Sequence, residues 1–396
     1  MSQTGAWMQR IALGWFVLQL THSAFAVGIM VLAQFLPFTF FGLFGGVLTD
    51  RLDARRTVIG TQLAQLVTAV ALAWIALAHI AQPWMLYTIA ALNGLVLVLD
   101  VPSRQQLTYR MVGRDDLPNA IALNSSLFNA SRIFGPATAG IVYGFTGAGV
   151  CFLINAISYF AVLLGLFAMR TRDFYTLEEF ERPSILRGTL EGLAYVRRQP
   201  QMLFVLALTL VISTFSFNFN VTLPVLAYST LHSTAEVYGI LSALFGAGAL
   251  FGALTAASVG HASTKVMIAG SVVFAGSELL LAPLHSPILV GAFLFLTGAG
   301  YTAWSANSSA KMQLAAPDRL RGRIIGIYFY AYSGTGPIAG VLAGWLCARG
   351  GTQLAFIVAG LAGLAGTAGA AVWLRRRPPE RVTPEIRAAV PESQPA

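Results

Sequence analysis

Twelve apolar stretches, most of them about the length of a bilayer crossing, follow one another along the chain and leave room for little else. They lie near 5–20, 25–49, 57–79, 84–106, 119–143, 147–169, 202–228, 236–258, 264–283, 286–310, 323–347 and 351–374. Turn-forming or charged breaks at 50–56, 79–83, 113–118, 146–149, 170–200 and 317–321 interrupt them. In hydrocarbon every backbone N–H and C=O must be bonded within the protein, so only helices and closed barrels cross it. Runs of about 20 apolar residues suit helices, whereas barrel strands are about half as long and alternate. The expectation is an all-α polytopic membrane protein with twelve transmembrane helices. Composition agrees: 56% of the 396 residues are hydrophobic and 10% are charged, against about 25% charged in soluble domains. That balance excludes a water-soluble globule. A nucleic-acid partner is also excluded, because the net charge of +9 sits in a chain of mean hydropathy +0.69. Cys151 and Cys347 lie in apolar runs and read as small buried hydrophobes.

Charge placement tests the span count independently. Of the 25 cationic residues, Arg349 alone falls in a loop after an odd-numbered stretch, and Arg10, Arg104 and Arg132 fall inside stretches. All the others, from Arg51, Arg55 and Arg56 to the tail, follow even-numbered stretches. Cytoplasmic loops carry the excess of Lys and Arg, so the even loops and the C-terminus are expected in the cytoplasm. Residues 1–170 form a first six-helix bundle in this reading, 171–200 a linker, 201–375 a second bundle and 376–396 a disordered tail. Within the linker, Leu186, Leu190, Leu193 and Val196 share one helical face, as expected of an amphipathic helix at the membrane surface. The first stretch is short and holds Arg10, which suggests that helix 1 has lost its first half to a late start.

The two halves repeat. Leu43-Phe44-Gly45 is echoed by Leu250-Phe251-Gly252, and Gly135-Pro136 with Gly140 by Gly336-Pro337 with Gly340. Duplicated helical halves around a central site are how many secondary transporters alternate access. With the repeat in view, Gly46-Val-Leu-Thr-Asp50-Arg51-Leu-Asp53-Ala-Arg55-Arg56 resembles the loop 2–3 signature of the major facilitator superfamily, G-x-L-x-D-R-x-G-R-R/K, with Asp53 where its second glycine stands. Ser131-Arg-Ile-Phe-Gly135-Pro136-Ala-Thr-Ala-Gly140 is similar to that superfamily's antiporter motif in helix 5. The segments Trp7–Ala12, Asp100–Gln105 and Arg321-Gly-Arg323 resemble the bacterial branch related to the enterobactin exporter. In that branch the Trp7 segment lies midway along helix 1. The resemblance implies two pseudo-symmetric six-helix bundles, a gate at Gly46, Asp50, Arg51 and Arg55, and close helix approach at Gly135, Pro136 and Gly140. In the superfamily the aspartate equivalent to Asp50 is held against the start of helix 11 until the cytoplasmic side opens.

Ionisable residues inside spans are costly and usually face a cavity or a partner. Arg132 lies deep in span 5 and Arg10 deep in span 1; each lines a substrate pathway or is tied into interhelical bonds. Asp100 and Arg104, spaced i, i+4 around Pro102, share a helical face and are expected to pair. A fixed gate pair and a proton-binding carboxylate are both open to Asp100. Glu278 near the outer end of span 9 either titrates or snorkels to the interface. Asn155, Asn218, Asn220, Trp304 and Asn307 are candidate polar or aromatic cavity contacts.

His22, His79, His232 and His285 fall singly in or beside outer loops without ligand spacing, so no metal site is read. No phosphate-binding Gly-rich loop and no nucleophile elbow occurs, which argues against an enzyme, an ATP-driven pump and a cofactor. The reading is a monomeric proton-coupled exporter of a small drug-like or siderophore-like molecule in the bacterial inner membrane. Its alternatives are an importer or lipid-translocating protein of the same fold and, of another class, a membrane enzyme or sensor.

Overall fold

The computed structural model describes residues 2–113, 115–170, 174–175, 185–258, 262–317 and 320–375, without the side chains of residues 43, 44, 46, 47, 50, 118, 185–188, 374 and 375. Every regular element among the described residues is helical. Six helices form the first half: α1 (Ser2–Thr21), α2 (Ala24–Arg51), α3 (Ala54–Leu77), α4 (Pro83–Val112), α5 (Leu117–Thr146) and α6 (Ala148–Ala168). The linker helix α7 (Ile185–Arg198) leads to α8 (Pro200–Thr230), α9 (Ala235–Ser258), α10 (Thr264–Leu281), α11 (Pro287–Ala315), α12 (Arg321–Ser333) and α13 (Gly336–Arg375).

Local chemistry sets the helix ends. Ser23, Asp53 and Ser263 accept backbone N–H groups at the starts of α2, α3 and α10, and proline opens α4, α8 and α11 where a missing N–H costs nothing. Among the described residues, nine stretches are long and apolar enough to span a bilayer. The last, Arg321–Trp373, has 53 residues, about 80 Å of helix at 1.5 Å per residue, and must cross twice. It folds back at Gly350–Gly351, where Gly351 takes φ +67°, open to glycine without strain. The polar residues of α1 and α5 keep those helices out of the nine, and with them the chain makes twelve crossings. Helix α1 has 20 residues, longer than the sixteen-residue stretch read from the sequence.

The crossings alternate between an end that carries the arginine-rich loops and linker and an end that carries His22, His79, His232 and His285. The two halves meet along a pair of matching seams, α2 against α12 and the start of α13, and α5 against α9. At both seams glycine lets backbones touch. A Cβ on Gly140 would come within 2.9 Å of the Ala235 carbonyl oxygen and 3.0 Å of the Gly239 Cα. A Cβ on Gly28 would lie 2.6 Å from the Gly340 carbonyl oxygen. The repeated glycines Gly140 and Gly340 therefore occupy equivalent places.

These contacts close the histidine-bearing end. There His22 Nδ1 and the Tyr228 hydroxyl lie 2.8 Å apart, Tyr143 donates to Gln19 at 2.6 Å, and Trp15 stacks on Tyr238 with centroids 5.5 Å apart. Toward the opposite end α5 parts from its neighbours. All eight residues 121–128 of α5 are exposed, and eight residues make more than two helical turns, so apart from Phe128, edge-on to Trp7 at 5.9 Å, little of α5 is covered there.

The linker helix packs against the second half along part of its length. Val196 is buried, Gly192 sits against Ile327 and Arg323 of α12, and Arg323 pairs with Glu191. Leu190 and Leu193 remain exposed, and the side chain of Leu186 lies outside those described. The apolar stripe is shared between a protein contact and an outward face.

Candidate transport pathway

Arg132 sits halfway along α5 and faces the second half. Its guanidinium lies 5.1 Å from the ring centroid of Phe245 on α9 and 5.0 Å from that of Tyr301 on α11. Cation–π contacts of this kind strengthen when water is excluded. Tyr301 in turn stacks on Phe217 at 4.6 Å, hydrogen-bonds Tyr332, and packs near Phe274 and Trp304. An aromatic wall from the second half thus meets a cation from the first. Arg10, halfway along α1, lies over Trp7 at 4.6 Å and within electrostatic range of Arg132, Tyr159 and Tyr238. Neither arginine forms an ion pair among the described residues. Two cations beside an aromatic wall suit a partly apolar anion.

Asp100 is held differently. It is 4% exposed and accepts from the Thr61 hydroxyl at 2.6 Å, Gln62 Nε2 at 3.3 Å and Arg104 Nε at 2.7 Å. The i, i+4 pair expected from the sequence is present, and α3 adds two further donors. Three donors from two helices hold the carboxylate in place.

The loop 2–3 residues are seen only in part. The side chains of Gly46 and Asp50 lie outside those described, and Arg51 is exposed. Arg55 donates to the Leu166 carbonyl from Nε at 3.0 Å and Nη2 at 2.7 Å, closing the C-terminal end of α6. Asp53, which stands in a glycine position of the signature, has φ −69° and needs no glycine there. It caps α3 and pairs with Arg110 at 3.2 Å. Sequence reading gave Asp53 no role, although an Asp just before a helical run is an N-cap signal.

Two expectations change. Asn307 is no free cavity contact: it accepts from Ser263 N at 2.9 Å and donates to the Ala303 carbonyl at 2.8 Å, tying α11 to the start of α10. Asn155, fully buried, donates to Gln9 at 2.7 Å between α6 and α1. Glu278 does not snorkel. It is 1% exposed and points into the second half, because its position on α10 faces α8 and α13 rather than the bilayer. The exposed polar run Asn124, Ser125 and Ser126 on α5 was missed, though three successive polar residues within a span are a signal of a wet face. Gly135 lies against α1, where a Cβ would be 2.5 Å from Trp7 Cβ, and Pro136 presents its carbonyl to Gly239.

The sequence matches the family described as transmembrane secretion effector over residues 1–392. The chain belongs to that family. Its members are transporters of the major facilitator superfamily and not enzymes. Curated relatives include the staphyloferrin A transporter of Staphylococcus aureus, 24% identical over 82% of this chain and 81% of the relative. Macrolide efflux protein A of Streptococcus pyogenes is 23% identical over 89% and 88%. The enterobactin exporter of Shigella boydii is 27% identical over 78% and 74%. Among solved structures, the nucleoside transporter NupG superposes with TM-score 0.71 at 12% identity, covering 95% of this chain and 98% of that one. A D-xylose–proton symporter gives 0.72 at 14%, covering 95% of each. The fold is the twelve-helix, two-bundle architecture of this superfamily, and the protein is a multi-pass membrane transporter.

Proposed function

We propose that the protein exports a small, partly aromatic, anionic molecule of the siderophore or drug class by proton antiport with alternating access. The observation that carries this reading is Arg132, a cation without an ion pair among the described residues, held deep in α5 against Phe245 and Tyr301 across the two halves. An anion with an aromatic or apolar body has a charge partner in Arg132 and Arg10 and a stacking surface in the aromatic wall. The export direction follows the functions named for the relatives.

The protein resides as a monomer in the bacterial inner membrane, its arginine-rich loops and C-terminus in the cytoplasm by the positive-inside rule. On that orientation the described state is inward-facing. The halves comprise residues 1–170 and 201–375, joined by 171–200, and rock about the seams lined by Gly140 and Gly340. Gly46, Asp50, Arg51 and Arg55 gate the cytoplasmic side, with Asp100 and Arg104 as a fixed pair behind them. Replacing Arg132 by Ala is expected to abolish export while leaving membrane insertion intact. Full export by that variant removes Arg132 from the mechanism.

A further inference from the structure

The second half contains a buried carboxylate that the substrate pathway does not use. Glu278 on α10 borders a cavity of about 10 Å³, large enough for one water molecule. The walls come from α8 at Ser216, Asn218 and Thr222, and from both arms of α13, including Leu346 and Phe356. Glu278 Oε2 is buried there without a hydrogen-bond partner. Among the described residues, no other titratable or charged side chain lines the cavity from α8, α10 or either arm of α13.

The Ser216 hydroxyl lies within hydrogen-bonding reach of Glu278, but the neutral groups have other acceptors for their hydrogens. Asn218 commits its amide hydrogens to the Thr214 and Phe215 carbonyls at 3.0 and 3.2 Å, which leaves its Oδ1. The Thr222 hydroxyl donates to the Asn218 carbonyl at 3.3 Å and the Ser216 hydroxyl to the Ala359 carbonyl at 2.9 Å. Their oxygen lone pairs remain. The arrangement exists because α8 breaks here: a π turn at Ile212–Ser216 ends at Phe217 and Asn218, whose backbones are not helical. Unwound helices at membrane depth are where transporters coordinate small ions. A carboxylate among acceptors lacks a positive charge or a proton, and burying it alone is costly. One carboxylate balances one positive charge, so a divalent ion would leave a buried surplus.

We propose that this cavity binds one monovalent cation, a proton on Glu278 or a sodium ion beside it, and is the coupling-ion site of the transporter. The ion-coupling role rests on the transport reading above; the binding does not. Occupancy would neutralise Glu278 next to the break in α8, the helix that also carries Tyr228 of the closed end and Phe217 of the aromatic wall.

The test uses the purified full chain in lipid nanodiscs and infrared difference spectroscopy. One arm steps the pH, and the other replaces choline chloride by sodium chloride. A proton site gives a protonated-carboxyl band that vanishes as pH rises. A sodium site gives a carboxylate change and a higher Tm on sodium addition. Either signal is expected in the wild type and absent in Glu278→Gln. Absence of both signals from the wild type, or their full retention in Glu278→Gln, overturns the proposal. Should Glu278→Gln fail to fold, Ser216→Ala decides: its apparent affinity for the ion is expected to weaken about tenfold or more, and an unshifted titration overturns the site. Gradient-driven uptake of a fluorescent aromatic carboxylate into vesicles is measured separately. Failure of uptake in a wild type that keeps the infrared signal refutes the transport reading and leaves the ion site standing.

Discussion

Substituting Gly140 by Ala places one methyl group at the α5–α9 seam and weighs directly on the balance between conformations. The new Cβ would lie 2.9 Å from the Ala235 carbonyl oxygen, 3.0 Å from the Gly239 Cα and 3.1 Å from the Glu236 Cα. All three are backbone atoms, so no side chain can swing aside and the helices must separate by several tenths of an ångström. Inserting a methyl into a tight contact costs about 1–3 kcal/mol. Alanine also favours a helix over glycine by about 1 kcal/mol, but that gain applies in every folded conformation and cancels between them. The net effect falls on the state sealed at the histidine-bearing end, disfavouring it by about 5- to 150-fold. The assay is maleimide labelling of a Leu18→Cys reporter, a position 1% exposed near the sealed end of α1. The alanine variant is expected to label several-fold faster than its glycine parent, and Gly340→Ala, at the other seam against Val31 and Gly28, should behave alike. Unchanged labelling in both variants, with both proteins folded, would refute the claim that backbone contact at these glycines holds this end shut.

The remaining predictions concern other contacts. Arg132→Lys keeps the charge but loses the planar guanidinium that lies over Phe245 and Tyr301, so export should fall while remaining above that of Arg132→Ala. Arg55→Ala removes the donors that close α6 at Leu166; a stability loss of about 1–3 kcal/mol is expected, read as a lower Tm in detergent. Tyr228→Phe deletes the 2.8 Å contact with His22, a loss of about 1 kcal/mol that should raise labelling at the histidine-bearing end without lowering the yield of folded protein.

Helix number and order were legible in the sequence because lipid enforces them residue by residue: an uninterrupted apolar run has one reading in hydrocarbon. The Asp100–Arg104 pair was equally legible, since i, i+4 spacing on a helix fixes proximity without knowledge of the fold. What pairs across the halves was not. Nothing local to Arg132 announces Phe245 or Tyr301, which lie more than a hundred residues away and arrive by packing. The posture of Glu278 was misjudged for a related reason. Its depth could be counted from the sequence, but whether its face meets lipid or α8 depends on helix rotation, and α10 has apolar residues all round. The bond that holds Asn307 was not legible, because its partner, the backbone N–H of Ser263, carries no signal in residue type.

Arg132 belongs to the seam as well as to the pathway, and that double membership gives the structure a means of linking binding to motion. Its carbonyl oxygen is the atom that a Cβ on Gly246 of α9 would approach to 2.6 Å, while its side chain lies over Phe245 of the same helix. A ligand that draws the guanidinium off Phe245 removes a contact between the halves one residue from a close backbone approach. The energy available is that of a desolvated cation–π pair, about 1–2 kcal/mol, comparable to the cost of one methyl at Gly140. A bound anion and a seam methyl should therefore push the same equilibrium in the same direction. Gly140→Ala is then expected to bind the anion more tightly, by at most the ratio of the anion's affinities for the opened and sealed states. Equal affinity in the two proteins, measured with an aromatic carboxylate, would show that Arg132 and the seam act independently.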